Sequence, residues 1–169
     1  MKVFSDPLYI IILVQILLVA IIDLRTRKIW HFWHFFNIAL FIAVHSLRPE
    51  YYSLDWMHWR YPLGMFVVGF LLFWIKIGGT RVMGGGDGKY LTGIFLVTPT
   101  AYQPGYFESL LWVSILVASI LLLLKLVKNL KVVVQSLWIK QFNFKQFFGS
   151  RFPFAPLMVI AWIWFGLRW

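Results

Sequence analysis

Met83-Gly84-Gly85-Gly86-Asp87-Gly88-Lys89 separates two long apolar segments, and the reading of the chain turns on it. Glycine lacks the side chain that keeps another backbone at a distance, so this run presents Asp87 on a bare stretch of chain. The helix expected to begin near Lys89 sets Asp87 at its first turn, where the positive end of the macrodipole favours a carboxylate. Alone, the stretch also reads as a flexible glycine turn between two membrane helices with a solvated acid on it. Its surroundings decide between the two readings.

Those surroundings are apolar. The 169 residues are 61% hydrophobic and 13% charged, with a mean hydropathy of +0.78, too apolar for a soluble domain of ordinary composition. The ten Trp and seven Tyr suit a chain that repeatedly crosses the headgroup region. A net charge of +10 raises the question of nucleic acid. The bases, however, cluster at the ends of apolar runs, so orientation in a bilayer explains them and no nucleic-acid partner is expected. Without cysteine, disulfides, thiolate metal sites and a cysteine nucleophile are excluded. The first apolar run is not expected to be a cleaved signal peptide, because only Lys2 precedes it and the basic cluster follows it.

Six segments are long or apolar enough to be spans: about Pro7 to Leu24, Trp30 to Leu47, Tyr61 to Ile77, Lys89 to Ala101, Tyr106 to Val127 and Phe154 to Arg168. The fourth is short, and Pro99 limits it further. The expected fold is therefore an all-α integral membrane protein, a single domain over 1–169 with six transmembrane helices. The stretch from Lys128 to Phe152, basic and aromatic with apolar residues at helical spacing, is expected to lie along the inner headgroups as an interfacial amphipathic helix before the last span.

With an even number of spans both termini share one side. Alternate loops then hold Arg25, Arg27, Lys28, Lys76, Arg81, Lys89, Lys125, Lys128, Lys131, Lys140, Lys145 and Arg151, leaving Lys2, Arg48, Arg60 and Arg168 opposite. The positive-inside rule puts the termini outside and the glycine-rich loop in the cytoplasm of a multi-pass protein of the inner membrane. Of the acids, Asp6, Glu50, Asp55 and Glu108 fall on the outer side, and Asp23 and Asp87 alone fall on the basic, cytoplasmic side. Asp23 ends the run Val19-Ala20-Ile21-Ile22, where an ionisable group is costly and marks function by default; its bland alternative is an ion pair with Arg27, one turn on.

If their helices pack, Asp23 and Asp87 face each other across a small polar cavity. Two carboxylates a few ångströms apart do not both ionise easily, so one keeps a proton. Such a pair is an acid and a base at once: one member takes a proton from water while the other polarises a peptide carbonyl. Cleavage also needs an extended substrate, and Gly84, Gly85 and Gly86 offer backbone against which an unwound strand can be added. Lys89, as a neighbour of Asp87, is expected to help keep the pair singly charged.

These residues carry a resemblance. Gly84, Gly86 and Asp87 fit the GxGD signature of intramembrane aspartyl proteases, and with Lys89 they are similar to the GxGDxK motif of the type IV prepilin peptidases, which the whole resembles. In that family the first catalytic Asp ends an early span ahead of a basic cluster, as in Asp23-Leu24-Arg25-Thr26-Arg27-Lys28-Ile29; Pro153-Phe154-Ala155-Pro156 is similar to its Pro-Phe-Gly-Pro. The chain has Ile29-Trp30-His31 where the family usually reads Ile-Pro-Asn, and Ala155 replaces the glycine. It lacks the cysteine-bearing cytoplasmic domain of larger members, so it resembles the short, peptidase-only branch of Flp/Tad-type pilus and archaeal preflagellin peptidases, and methyltransferase activity is not expected. The resemblance implies catalysis by Asp23 and Asp87, with Gly84, Gly85, Gly86, Gly88 and Lys89 as motif or substrate-binding residues and no cofactor or metal. It also implies a bacterial or archaeal membrane setting. The expected partners are a prepilin-like precursor with a short basic leader, membrane lipids, and pilus or secretion assembly proteins.

Other chemistries fare worse. His31 and His34, three apart, lack a third ligand and fit an interfacial belt with Trp30, Phe32 and Trp33 better than a metal site. HExxH is absent, no basic partner for a serine is readable, and His45 and His58 flank the outer loop without needing a function. The competing classes are a proton- or cation-coupled carrier, with the acids relaying protons, and a non-catalytic scaffold of a pilus or secretion machine.

Overall fold

The structure, a computed structural model, describes residues 5–26, 28–77, 80–81, 83–128 and 154–169. Among them the chain forms α1 (Pro7–Thr26), α2 (His31–Leu47), a 3-10 turn (Pro49–Tyr51), α3 (Trp56–Trp74), β1 (Lys76–Ile77), β2 (Thr80–Arg81), α4 (Gly85–Val97), α5 (Gln103–Lys128) and α6 (Ala155–Arg168). The amphipathic helix expected before the last span lies outside the described residues.

The helices begin where side chains can satisfy their first amides. Asp6 Oδ1 accepts from the Leu8 N–H at 2.9 Å, with Pro7 at the first helical position, where a missing N–H does no harm. Asp55 Oδ1 accepts from the Met57 N–H at 3.0 Å. That cap corrects the expected third span: the helix starts at Trp56, ahead of the apolar run, and stops at Trp74. Lys76 and Ile77 leave it to pair antiparallel with Arg81 and Thr80, one short ladder in an otherwise helical fold of six helices. The fourth helix also begins earlier than Lys89, at Gly85, and ends at Val97 ahead of Thr98 and Pro99.

α1 buries one stripe, Leu8, Tyr9, Ile12, Ile16, Val19, Ala20 and Asp23, at the spacing of one helix face. Its opposite face leaves Ile10, Ile11, Val14, Leu18 and Ile21 exposed. Continuous apolar exposure of this kind is costly in water and neutral in hydrocarbon. Two helices, α1 and Gln103–Leu124 of α5, are long and apolar enough to cross a membrane; α2 and α6 are apolar and shorter.

Two packing themes organise the bundle. α6 joins α1 to α5: Tyr9 stacks on Trp162 with ring centroids 5.1 Å apart. The Tyr9 hydroxyl donates to the Trp162 carbonyl at 2.9 Å, and Trp162 Nε1 donates back to the Tyr9 carbonyl at 3.2 Å. α4 packs against α3 and α2, and its crossing with α3 depends on two glycines. A Cβ on Gly69 would lie 2.8 Å from the Gly88 Cα, and one on Gly88 would lie 3.0 Å from the Gly69 Cα. Both neighbours are backbone, which cannot swing aside.

Gly69→Val is therefore expected to destabilise the fold by about 1–3 kcal/mol, the usual range for forcing atoms into a packed interior. Gly64→Ala on the same helix, where a Cβ meets nothing within 4 Å, should be neutral or slightly stabilising because alanine is the better helix former. Thermal melts of the two variants in detergent compare them.

Candidate active site

Asp23 lies in the last turns of α1 and Asp87 in the first turn of α4. Asp23 is 5% exposed, Asp87 is partly buried, and Asp23's charge acts on Asp87. The C-terminal end of α1 and the N-terminal end of α4 thus carry the two acids. Yet α1 and α4 are not among the closely packed helix pairs, since α4 rests on α3 and α2 and α1 rests on α6. The carboxyls are in electrostatic reach of each other.

The glycines build the turn that carries Asp87, each against a different neighbour. The Asp87 carboxylate folds back so that Oδ2 accepts from the Gly84 N–H at 3.1 Å, the acid half of a capping box. A Cβ on Gly84 would sit 2.8 Å from that same oxygen, so a side chain there would push the carboxylate from this position. Gly85 lies against the Phe73 ring and Gly86 against Ile29, while Gly88 makes the crossing with Gly69. The contact of Gly86 with Ile29 seats the chain that follows α1 onto the first turn of α4. Because Gly85 and Gly86 are helical, they do not offer the bare extended edge expected of Gly84, Gly85 and Gly86, of which Gly84 alone is extended.

Asp87 stands ahead of the apolar run that starts at Lys89. Burial pushes its carboxyl up to about 6, helped by Asp23 and opposed by the Gly84 N–H. Lys89 is not among the groups acting on it. Two residues on, Lys89 is turned roughly 160° around the helix and is exposed, lining cavities on the outer face of α4 beside α2 and α3. The expectation that Lys89 holds the pair singly charged is thereby corrected, and burial with Asp23 supplies that effect instead.

The other four carboxylates have structural duties. Asp6 caps α1 and accepts from the Tyr51 and Tyr102 hydroxyls at 3.4 and 3.3 Å, and Asp55 caps α3. Glu50 pairs with Arg48 and Glu108 with Arg168. Asp87 makes no ion pair among the described residues; Arg27, the alternative partner for Asp23, lies outside them.

Four buried polar residues were given no role by the sequence reading. Gln15 Nε2 donates to Asn37 Oδ1 two turns below Asp23, and Tyr90 is buried one turn below Asp87. Gln15 and Asn37 are lone amides within apolar runs, a signal readable in advance. His58, expected to need no function, is fully buried, with Nδ1 3.0 Å from Thr100 Oγ1 and 3.1 Å from Gln103 Nε2. It ties α3 to the start of α5 at the end remote from the acids. The His31 and His34 ring centroids are 5.9 Å apart, and no group of three metal-ligating side chains occurs among the described residues.

A carboxyl raised in the fold favours the folded state at low pH. Between about 4 and 6 the unfolded chain has released this proton and the folded chain has kept it, so stability falls with rising pH across that window and the cost is constant above it. Asp87→Asn, which cannot ionise, is expected to be about 1–3 kcal/mol more stable than the parent at pH 8. That advantage should vanish below about pH 4, as thermal unfolding in detergent against pH will show.

No curated protein and no solved structure matches the chain. A family model, the type IV leader peptidase family, matches residues 10–168. That span takes in both acids, the glycine run and α6, and the chain belongs to the type IV leader peptidase family.

Proposed function

We propose that this peptidase is an intramembrane aspartyl endopeptidase that removes a short basic leader from prepilin-like precursors at the cytoplasmic face of the membrane. The observation that carries the reading is the placement of Asp23 and Asp87 at one end of the bundle, within electrostatic reach and partly withdrawn from water. One carboxylate, ionised, takes a proton from a water whose oxygen attacks the scissile carbonyl carbon. The other, protonated, donates to the carbonyl oxygen as it gains charge. When the tetrahedral species collapses the C–N bond breaks, the leaving nitrogen takes a proton, and the leader keeps a new carboxylate. The pair titrates as a unit.

The helix arrangement supports this chemistry. α1 and α4 share the buried core through Ile12, Ile16, Tyr90 and Ile94, while the acids stand in the last turns of α1 and the first turn of α4, where an extended segment of substrate can reach them without entering that core. The precursor's apolar helix remains in the bilayer while its basic leader stays at the cytoplasmic face, the side to which twelve of the sixteen Lys and Arg residues are assigned. Such a precursor presents its cleavage site at the depth of the two acids.

Cleavage of a precursor peptide, comprising leader and apolar helix, is expected to fall by roughly 10²–10⁴-fold in Asp23→Asn and in Asp87→Asn, the usual scale for loss of a general acid or base. Both variants should keep parental helicity by circular dichroism. Gly84→Ala, which displaces the Asp87 carboxylate, should slow cleavage by roughly tenfold. Processing at the parental rate by either Asp variant removes the dyad from the mechanism, and substrate-dependent proton flux into liposomes would favour a carrier instead.

A further inference from the structure

The acids leave one part of this end of the bundle unused. Between α2 and α4 a cavity of about 340 Å³ is lined by His31, His34, Phe35, Ile38, Lys89 and Leu96, among others. Its residues fall at helical spacing on both walls, 31, 34, 35 and 38 facing 89, 92, 93 and 96, so each wall runs along a helix axis. The first turns bring His31, His34 and Lys89 to the rim. Phe35, 71% exposed, and Ile38 and Leu96 form the sides below. The back is closed where Gly93 lies so near Asn37 that a Cβ would meet its Nδ2 at 2.6 Å.

The rim carries the charge of Lys89 beside two imidazoles. Lys89 makes no ion pair among the described residues. Both ring nitrogens of His34 are shielded from solvent without a hydrogen-bond partner, although an imidazole carries at least one N–H and an unpaired buried donor is costly. His31 and Lys89 both lie within electrostatic reach of His34. A lysine ammonium and two imidazole N–H donors gathered at one rim suit an anion. Seven residues of helix from rim to floor are roughly 10 Å, so a ligand with a charged head and a hydrocarbon tail spans the slot from end to end.

We infer that the slot between α2 and α4 is a binding site for an anionic phospholipid, its phosphate held by Lys89, His34 and His31 and an acyl chain lying along Phe35, Ile38 and Leu96. Lipid fits better than the apolar helix of a substrate. Lys89, Thr92 and Leu96 lie on the face of α4 turned away from Asp87, so a substrate seated there would present its scissile bond away from the acids. The inference stands on the membrane setting of the chain and is independent of the dyad.

The full chain, purified in non-ionic detergent, is offered phosphatidylglycerol or phosphatidylcholine with the same acyl chains, and retained lipid is counted by native mass spectrometry. Retention of phosphatidylglycerol should exceed that of phosphatidylcholine by roughly tenfold, and Lys89→Gln should reduce that preference by roughly fivefold, the effect of one basic group at a membrane surface. Lys89→Arg should restore it, and His34→Leu should weaken it. Millimolar inorganic phosphate should not displace the lipid, because the apolar walls hold the chain. Asp87→Asn should leave retention unchanged, which separates this site from the dyad. Equal retention of the two lipids, a preference untouched by Lys89→Gln, full displacement by phosphate, or displacement by a precursor peptide would each overturn the assignment. Since Lys89 is exposed, its variants test the site even where His34→Leu fails to fold.

Discussion

Two carboxylic acids brought to one end of a helix bundle, where hydrocarbon and protein exclude much of the water, cannot both be ionised without a large electrostatic cost. Everything distinctive in this structure accommodates that constraint. Four of the six carboxylates are engaged in caps, tyrosine hydroxyl contacts or surface ion pairs, and the remaining two influence each other. A group that must keep its proton at neutral pH, beside one that must lose it, is what hydrolysis by activated water requires.

The first turn of α4 fixes where that second acid points. Its amides would favour a carboxylate through the macrodipole, and the Gly84 N–H takes up one carboxylate oxygen. Burial and Asp23 oppose them and prevail, raising the Asp87 carboxyl to about 6. Its position is set on three sides by contacts that only glycine permits or that glycine brings close: the Asp87 carboxylate over Gly84, Ile29 over Gly86 and the Gly69 backbone over Gly88. The motif is therefore mostly a packing device, and its chemical consequence is an acid held in one orientation.

Much of this was legible in the chain itself. The two acids stood out because the twelve other charges on their side were all basic on the six-span reading, and the order of helices followed from the apolar runs. What stayed hidden depended on contacts between distant segments. Asp55 caps α3 ahead of the hydrophobic run, so hydropathy alone began that helix too late. The roles of Gly85 and Gly88 are defined by Phe73 and Gly69, which no local pattern links to them. Lys89 was misread because sequence proximity to Asp87 was taken for spatial proximity, whereas two residues along a helix nearly reverse direction. His58 carries no sequence sign that its ring would be buried with Thr100 and Gln103.

The orientation of Lys89 bears on an electrostatic problem in the proposed reaction. A basic leader approaching a face that gathers most of the chain's positive charge is repelled, and two acids sharing a proton supply only one compensating charge. A phospholipid phosphate seated at Lys89, His34 and His31 adds a second negative charge at the same end of α4, yet on its far side, where it cannot raise the pKa of Asp87 as strongly as Asp23 does. The potential felt by the leader then falls while the protonation of the dyad is preserved. Facing Lys89 away from the acid thus separates two tasks that a lysine beside Asp87 would bring into conflict: tempering the charge of the docking face, and keeping a proton on the catalytic pair.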